Sequence, residues 1–198
     1  MNFLAHLYLS GSNRHIQIGN FIGDHVKGRN HEKFSADIQK GILLHRKIDH
    51  YTDTHPIVKQ SYRRLNKNYG RYSGIVMDVF YDHYLAKNWD LYSDVSLKNY
   101  VTKVHRVLMT NYFKLPNNVK RFLPFMVKSR RLETYATVNG IKRSLEIMSD
   151  YSSLPNETDW AIQQLIDFDD EFDQEFKIFF SDVRAMVKEE LGENPMGV

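Results

Sequence analysis

A histidine and two aspartates share one face of a predicted helix near residue 45. His45, Asp49 and Asp53 follow one another at intervals of four residues, which places them along one line of a helix surface. A neutral imidazole one turn from a carboxylate can bind a divalent cation, or the two groups can form a hydrogen-bonded pair. Apolar neighbours embed this helix, and His50 and His55 lie nearby. We therefore favour a ligand set over an exposed polar face.

A second pair of carboxylates lies in an apolar segment near residue 80. Asp78 and Asp82 are one helical turn apart, and His83 follows directly. A buried carboxylate requires a partner, which is usually a metal or another cation. The alternative is a structural ion pair with Arg71 or Arg46.

Two further residues, one histidine and one aspartate, come from the first helices of the chain. Residues 19–24 contain two glycines but lack the Gly-Lys-Ser/Thr ending and the preceding strand of a phosphate-binding loop. We predict that these glycines let helices cross closely and present Asp24 inward. His6 lies in an apolar stretch, where a single histidine is more often a buried structural residue than a ligand. The other histidines and aspartates make a ligand role for His6 attractive.

These residues together indicate metal-assisted hydrolysis. The chain has no cysteine, which excludes thiolate metal sites, disulfides and cysteine nucleophiles. No Ser-His-Asp arrangement or dinucleotide fingerprint is present. Carboxylate and imidazole ligands suit Mn²⁺, Mg²⁺ or Fe²⁺, which activate water and neutralise phosphoryl oxygens. The candidate residues are His6, Asp24, His45, Asp49, Asp78, Asp82 and His83.

The hydrophobic pattern predicts an all-α fold, with residues 1–198 forming one bundle of seven or eight helices. Ser35 is predicted to cap a helix that ends near Thr54, and Pro56 is predicted to begin the next helix. Ser73 and Ser96 are predicted to cap two later helices.

The C-terminal half is also expected to be helical. Residues 115–131 are predicted to form one or two short helices broken by Pro116 and Pro124, and another helix is expected over 135–149. The chain is then predicted to end in one long, acidic, amphipathic helix over about residues 158–191.

Charge is distributed unevenly along the 198 residues. Residues 1–150 carry a net charge of +12, whereas residues 151–198 carry −9. A basic body is typical of proteins with anionic partners, although a solvated surface is the alternative. Twelve Phe and twelve Tyr exclude a wholly disordered chain. No apolar run reaches the length of a membrane helix, so we expect a soluble, cytoplasmic protein.

Five segments of the first 90 residues resemble the bacterial acyl-carrier-protein phosphodiesterase family, also called ACP hydrolyase, in order and spacing. The resemblance implies an all-α fold distantly similar to HD-domain phosphohydrolases, although the adjacent pair here reads Asp82-His83 rather than His-Asp. The five matching segments are residues 1–7, 19–24, 41–49, 52–53 and 77–85.

The resemblance also implies an activity and a partner. It implies a Mn²⁺-dependent enzyme, with Mg²⁺ or Fe²⁺ as alternatives. This enzyme would remove 4′-phosphopantetheine from the serine of holo-acyl carrier protein, a small and strongly acidic protein. The metal ligands would be drawn from His6, Asp24, His45, Asp49 and Asp82.

The remaining catalytic roles are predicted from the spacing of the residues on their helices and from their side-chain chemistry. We favour Asp82 as a ligand supported by Asp78, with His83 as the acid or as a group that orients a ligand. Arg46 would bind the phosphate oxygens, or alternatively pair with Asp78. A histidine that does not bind metal, His45 or another, could protonate the leaving serine oxygen.

Basic residues form a predicted docking surface for the acidic carrier protein. Two other functions remain open: an HD-like phosphohydrolase of a nucleotide or another small phosphodiester, and a non-enzymatic helical module that binds an acidic protein. Nucleic-acid binding is the weakest alternative, because no groove-reading motif is present. The predicted docking residues are Arg63, Arg64, Lys67, Lys120, Arg121, Lys128, Arg130, Arg131, Lys142 and Arg143.

Overall fold

The computed structural model describes residues 1–195, and that part of the chain contains eleven α-helices and no β-strand. The all-α prediction is confirmed, whereas the predicted count of seven or eight helices is too low. Short 3₁₀ turns lie between several of the helices. The helices are α1 Phe3–Tyr8, α2 Arg14–Ile22, α3 Ala36–Thr54, α4 Pro56–Tyr69, α5 Ser73–Lys87, α6 Leu97–Thr110, α7 Asn117–Lys128, α8 Arg131–Thr134, α9 Val138–Tyr151, α10 Thr158–Asp167 and α11 Asp169–Leu191.

The residues at the predicted helix starts lie where the first long helices begin. Ser35 is the N-cap residue of α3, although its side chain makes no capping hydrogen bond with the described residues, and Pro56 is the first residue of α4, as predicted. The Ser96 side chain accepts a hydrogen bond from the Asn99 amide at the start of α6. Ser73 is the first helical residue of α5 rather than its cap.

Two predictions for the C-terminal half are wrong. The first concerns Pro124, which lies inside α7 without breaking it. Proline lacks an N–H and leaves the carbonyl four residues earlier without its helical donor. Here the Tyr112 hydroxyl donates to that carbonyl, at Lys120, over 3.1 Å. Because the free carbonyl has a side-chain partner, the helix continues past the proline.

The second concerns the predicted long helix over 158–191, which the structure divides at Phe168. The backbone of Phe168 is non-helical, with φ −119° and ψ 30°. Three acidic residues then occupy the first turn of α11, where the helix dipole favours negative charge. This sequence therefore starts a new helix rather than continuing α10.

The α5 helix lies at the centre of the fold. Most of its residues between Val76 and Ala86 are buried, and α1, α4, α9 and α11 all pack against it. A helix that is buried on every side places its polar residues in the core as well. Asp82 is fully buried for this reason. No helix among residues 1–195 has both the length and the apolar character needed to cross a membrane.

The α2 and α3 helices make the closest contact in the fold through two glycines. A Cβ atom on Gly41 would overlap the carbonyl oxygen of Ile16, and one on Gly19 would overlap that of Ile38. The absence of both side chains lets the two backbones touch. This contact confirms the prediction that Gly19 permits a close helix crossing.

We expect Gly41→Ala to lower the free energy of unfolding by about 1–3 kcal/mol, because the added methyl group must push α2 and α3 apart. The matched control is Gly74→Ala in α5, where a Cβ atom would meet its nearest neighbour, the Tyr62 hydroxyl, at an ordinary 3.5 Å. Urea unfolding followed by circular dichroism compares the two variants. Equal stability of both would contradict the assigned role of Gly41.

Candidate metal and active site

Three residues from two helices form a compact cluster of potential metal ligands. His6 lies on α1, while His45 and Asp49 lie one turn apart on α3, and one ligand atom from each falls within 4.8 Å of the others. The Nε2 atom of His6 lies 3.1 Å from Asp49 Oδ1, and the Nε2 atom of His45 lies 3.0 Å from Asp49 Oδ2. Asp24 approaches from the 3₁₀ turn after α2, with its Oδ1 3.4 Å from His45 Nε2.

The two imidazole rings are stacked, with their centroids 4.0 Å apart. The His45 ring fits beside α2 because position 23 is a glycine. A Cβ atom on Gly23 would overlap that ring. The glycine therefore makes room for His45, and the following residue, Asp24, points to the same ring.

A single buried asparagine, Asn20, orients both rings. The Nδ2 group of Asn20 donates to the His6 carbonyl at 2.8 Å and to Ser10 Oγ at 3.0 Å. Its Oδ1 therefore accepts from His6 Nδ1 at 2.8 Å, and its backbone carbonyl accepts from His45 Nδ1 at 2.8 Å. Both imidazoles thus carry a proton on Nδ1 and turn Nε2 toward Asp49.

Burial and neighbouring charges shift the pKa values of the two imidazoles in opposite directions. Burial and the neighbouring His45 lower the pKa of His6 to about 4. Burial also opposes the charged form of His45, but contacts with Asp24 and Asp49 outweigh it and raise the pKa of His45 to about 9. Asp49 is half-buried, which opposes its charged form, yet the contact with His45 holds its pKa well below the ordinary value.

The arrangement of these donors fits a divalent cation. Neutral His6 carries its proton on Nδ1, so its Nε2 lone pair faces Asp49 Oδ1 and the Met1 carbonyl oxygen, each at 3.1 Å. His45 Nε2 is buried and has no partner with hydrogen-bond geometry in the described part of the chain. A bound cation would offset the repulsion between these acceptor atoms. The mixed nitrogen and oxygen donor set suits Mn²⁺, Fe²⁺ or Mg²⁺.

A cleft of about 490 Å³ opens beside the cluster. Its wall includes the carboxylates of Asp24, Asp49, Asp53 and Asp78, with Arg71 as the basic side chain. Asp78 Oδ1 accepts from the amino group of Met1 at 2.8 Å. Burial raises the pKa of Asp78 to about 6, although the nearby amino group works against that shift. The cleft therefore joins the ligand cluster to a carboxyl group that titrates near neutral pH.

The structure gives Asp82 a different position from the one predicted. Its two carboxylate oxygens accept from the backbone amides of Leu4 at 2.8 Å and Ala5 at 3.1 Å. Asp82 therefore holds the first turn of α1, whose amides have no partner within the helix. Burial raises the pKa of Asp82 to about 7, against the effect of these two amides. Asp82 fixes the helix that carries His6 but is not brought to the ligand cluster.

His83 and Arg46 also lie away from the cluster. The Nδ1 group of His83 donates to the Tyr135 carbonyl at 2.7 Å. Arg46 donates to the carbonyls of Val26 and Gly28, both at 2.8 Å, and so braces the loop that follows Asp24. Neither side chain lines the cleft.

Two residues of the site were not assigned there from the sequence. Asn20 lies in the glycine-containing segment over residues 19–24, and its single signal in the sequence is an amide set among apolar residues. The sequence indicates Arg71 only as an ion-pair partner for a buried carboxylate. The structure places Arg71 on the cleft wall instead, after the turn at Gly70.

Comparison with known proteins gives one consistent family. A sequence profile described as acyl carrier protein phosphodiesterase matches residues 1–183, which include the whole cluster. The acyl carrier protein phosphodiesterase of Yersinia enterocolitica is 33% identical over 150 residues, which cover 75% of this chain and 78% of that protein. The protein of the same name from Photorhabdus laumondii is 33% identical over 75% of this chain and 76% of its own length. No solved structure matches the chain significantly.

We expect the proton on His45 to make the stability of the metal-free protein depend on pH. The folded pKa of about 9 exceeds the ordinary value of 6.5, so this contribution is complete below about pH 6.5 and is lost as the pH rises to about 9. In chelator, the stability difference between wild type and His45→Gln should shrink by up to about 1.4 kcal/mol per pH unit in this range.

Urea unfolding at a series of pH values measures this difference. The control is His50→Gln, which removes an exposed histidine of the same helix that lies outside the cluster. A pH-independent difference between wild type and His45→Gln would show that folding does not raise the pKa of His45.

Proposed function

The chain belongs to the acyl carrier protein phosphodiesterase family, and we propose that it hydrolyses the phosphodiester between 4′-phosphopantetheine and the serine of holo-acyl carrier protein. The products are apo-acyl carrier protein and free 4′-phosphopantetheine. The observation that carries this proposal is the pair of imidazoles whose Nε2 atoms converge on Asp49 beside an open cleft. An N- and O-donor cluster at a cleft is the arrangement that metal-assisted phosphoester hydrolysis requires.

The proposed ligands of the cation are His6, His45, Asp49 and Asp24. The first three lie within ligand distance of one another, and Asp24 lies 3.4 Å from His45. We propose Mn²⁺, with Mg²⁺ and Fe²⁺ compatible with the same donors. When bound, such an ion neutralises charge on the phosphoryl oxygens and lowers the pKa of a coordinated water.

Arg71 is proposed to bind the non-bridging phosphate oxygens, the role that the sequence assigned to Arg46. The Arg46 guanidinium is occupied by two backbone carbonyls, whereas Arg71 lines the cleft and is exposed. Its recorded polar contact is with the Tyr72 hydroxyl, at 2.8 Å. A guanidinium presents paired N–H donors that match two phosphate oxygens.

Asp78 is proposed to supply the proton for the leaving serine oxygen. It lines the cleft, and with a pKa of about 6 it stays partly protonated near neutral pH. A general acid works best when its pKa lies near the working pH. His83, the acid expected from the sequence, is buried and bonded to the Tyr135 carbonyl away from the cleft.

We expect the purified chain with Mn²⁺ to convert holo-acyl carrier protein to the apo form, and chelator to abolish this reaction while leaving most of the helicity. The helices have an apolar core that does not include the cluster, so the metal serves chemistry rather than folding. Mass spectrometry of the carrier protein and circular dichroism of the enzyme are the two measurements.

A matched pair of variants on α3 tests the ligand assignment. Asp49→Asn should lose bound Mn²⁺ and turnover together, whereas Asp53→Asn, on the cleft wall but outside the cluster, should retain bound Mn²⁺. Unfolding by chelator would make the metal structural. Faster turnover of free nucleotides than of holo-acyl carrier protein would favour a small-molecule phosphohydrolase.

We expect Arg71→Gln to lower kcat/KM for holo-acyl carrier protein by about 10²-fold, the usual cost of removing one donor to a developing oxyanion. Arg71→Lys should retain more activity, because it keeps the charge. The control is Arg106→Gln, an exposed arginine on α6 that does not line the cleft, which should match wild type. Steady-state kinetics decide the point, and an unchanged kcat/KM for Arg71→Gln would remove Arg71 from the site.

A further inference from the structure

A second cavity, of about 700 Å³, lies between α7, α8 and α9. We call it the basic groove, because its lining includes Lys128, Arg131 and Arg143 and no carboxylate. The apolar side chains of Phe125 and Ile147 also line it, together with uncharged residues such as Ser144. The groove therefore combines positive charge with an apolar surface.

Two of the groove cations differ from several residues of the predicted docking surface, because they are not paired with a carboxylate in the described part of the chain. Within residues 1–195, neither Lys128 nor Arg131 forms an ion pair with a carboxylate. Arg143 lies 3.2 Å from Glu146, but its side chain is 69% exposed, so this pair contributes little. In contrast, three residues predicted to dock a partner are already paired: Arg64 with Glu175, Arg130 with Glu133 and Lys142 with Asp159.

Phe125 gives the groove a feature that a solvated basic surface does not need. Its side chain is 73% exposed, among the most exposed of the large apolar residues. Exposed aromatic residues surrounded by polar groups are typical of protein-binding surfaces. An acidic segment that also presents an apolar side chain matches both properties, and an amphipathic helix is the common form of such a segment.

The basic groove and the cleft share a wall. Met148 of α9 lines the cleft, while Ser144 and Ile147 of the same helix line the groove. The α9 helix can pack close to α8 because position 140 is a glycine. A Cβ atom there would overlap the Thr134 carbonyl oxygen. A protein bound in the groove is therefore adjacent to the cleft that holds the ligand cluster.

We propose that the basic groove docks an acidic amphipathic helix of the protein substrate, with Lys128 and Arg131 facing its carboxylates and Phe125 facing its apolar side. The proposal rests on the proposed function for the identity of that substrate. The protein substrate then docks in the basic groove, and its phosphodiester enters the cleft.

The test measures binding of apo-acyl carrier protein, which has no phosphodiester, so that docking is separated from hydrolysis. Lys128→Glu/Arg131→Glu should weaken the Kd by about tenfold or more at low salt, and Phe125→Ser should weaken it without a change of charge. The control is Lys40→Glu/Lys59→Glu, which reverses two exposed charges on α3 and α4 outside the groove. Helicity and bound Mn²⁺ should match wild type in every variant.

Hydrolysis of holo-acyl carrier protein gives the second readout. The groove variants should raise KM and leave kcat nearly unchanged. The docking proposal would be overturned if the groove and control pairs weakened binding equally, or if either groove variant left the Kd unchanged. It would also be overturned if wild type did not bind apo-acyl carrier protein. Tighter binding of duplex DNA than of the carrier protein would do the same. Binding that depends on the groove, without turnover of the holo form, would instead overturn the proposed function and uphold the docking site.

Discussion

The side chain and carbonyl of Asn20 are the interaction on which the rest of the candidate site depends. This buried residue is bonded to both imidazoles through their Nδ1 groups and also to the His6 carbonyl and Ser10. Both polar atoms of its side chain and its backbone carbonyl are hydrogen-bonded, so it fixes the orientation of two rings from two different helices. In metal sites, removing a residue that orients a ligand in this way typically costs about 10- to 100-fold in metal affinity or activity. The glycine contact between α2 and α3 brings Asn20 within reach of His45.

The buried carboxylate of Asp82 is a second feature that positions the site. Burying the Asp82 carboxylate on α5 is unfavourable unless it has strong partners. The free amides at the start of α1 are such partners, because they and the helix dipole both favour negative charge. The same bonds give the six-residue α1 helix a fixed position. The acidic motif near residue 80 therefore contributes to the site through the helix that carries His6.

Local chemistry in the sequence predicts part of this arrangement. The Ser35 cap and Pro56 define α3, and the four-residue spacing on α3 predicts that His45 and Asp49 meet. Spacing gives the face of a helix but not the group opposite that face, so it could not show that Asp82 meets α1 or that Arg46 meets two carbonyls. The same limit explains α7, because the partner that lets it pass Pro124 is a tyrosine hydroxyl outside the helix.

The position of the ligands along the chain has a consequence for how the protein is made. His6, Asp24, His45 and Asp49 all lie in the first quarter of the sequence, whereas Asp82 is translated later. An isolated six-residue helix is not stable in water. A nascent chain that ends after α4 thus displays every donor of the cluster but cannot yet hold His6 in place. The cluster therefore assembles only once α5 has emerged from the ribosome and can pack against α1.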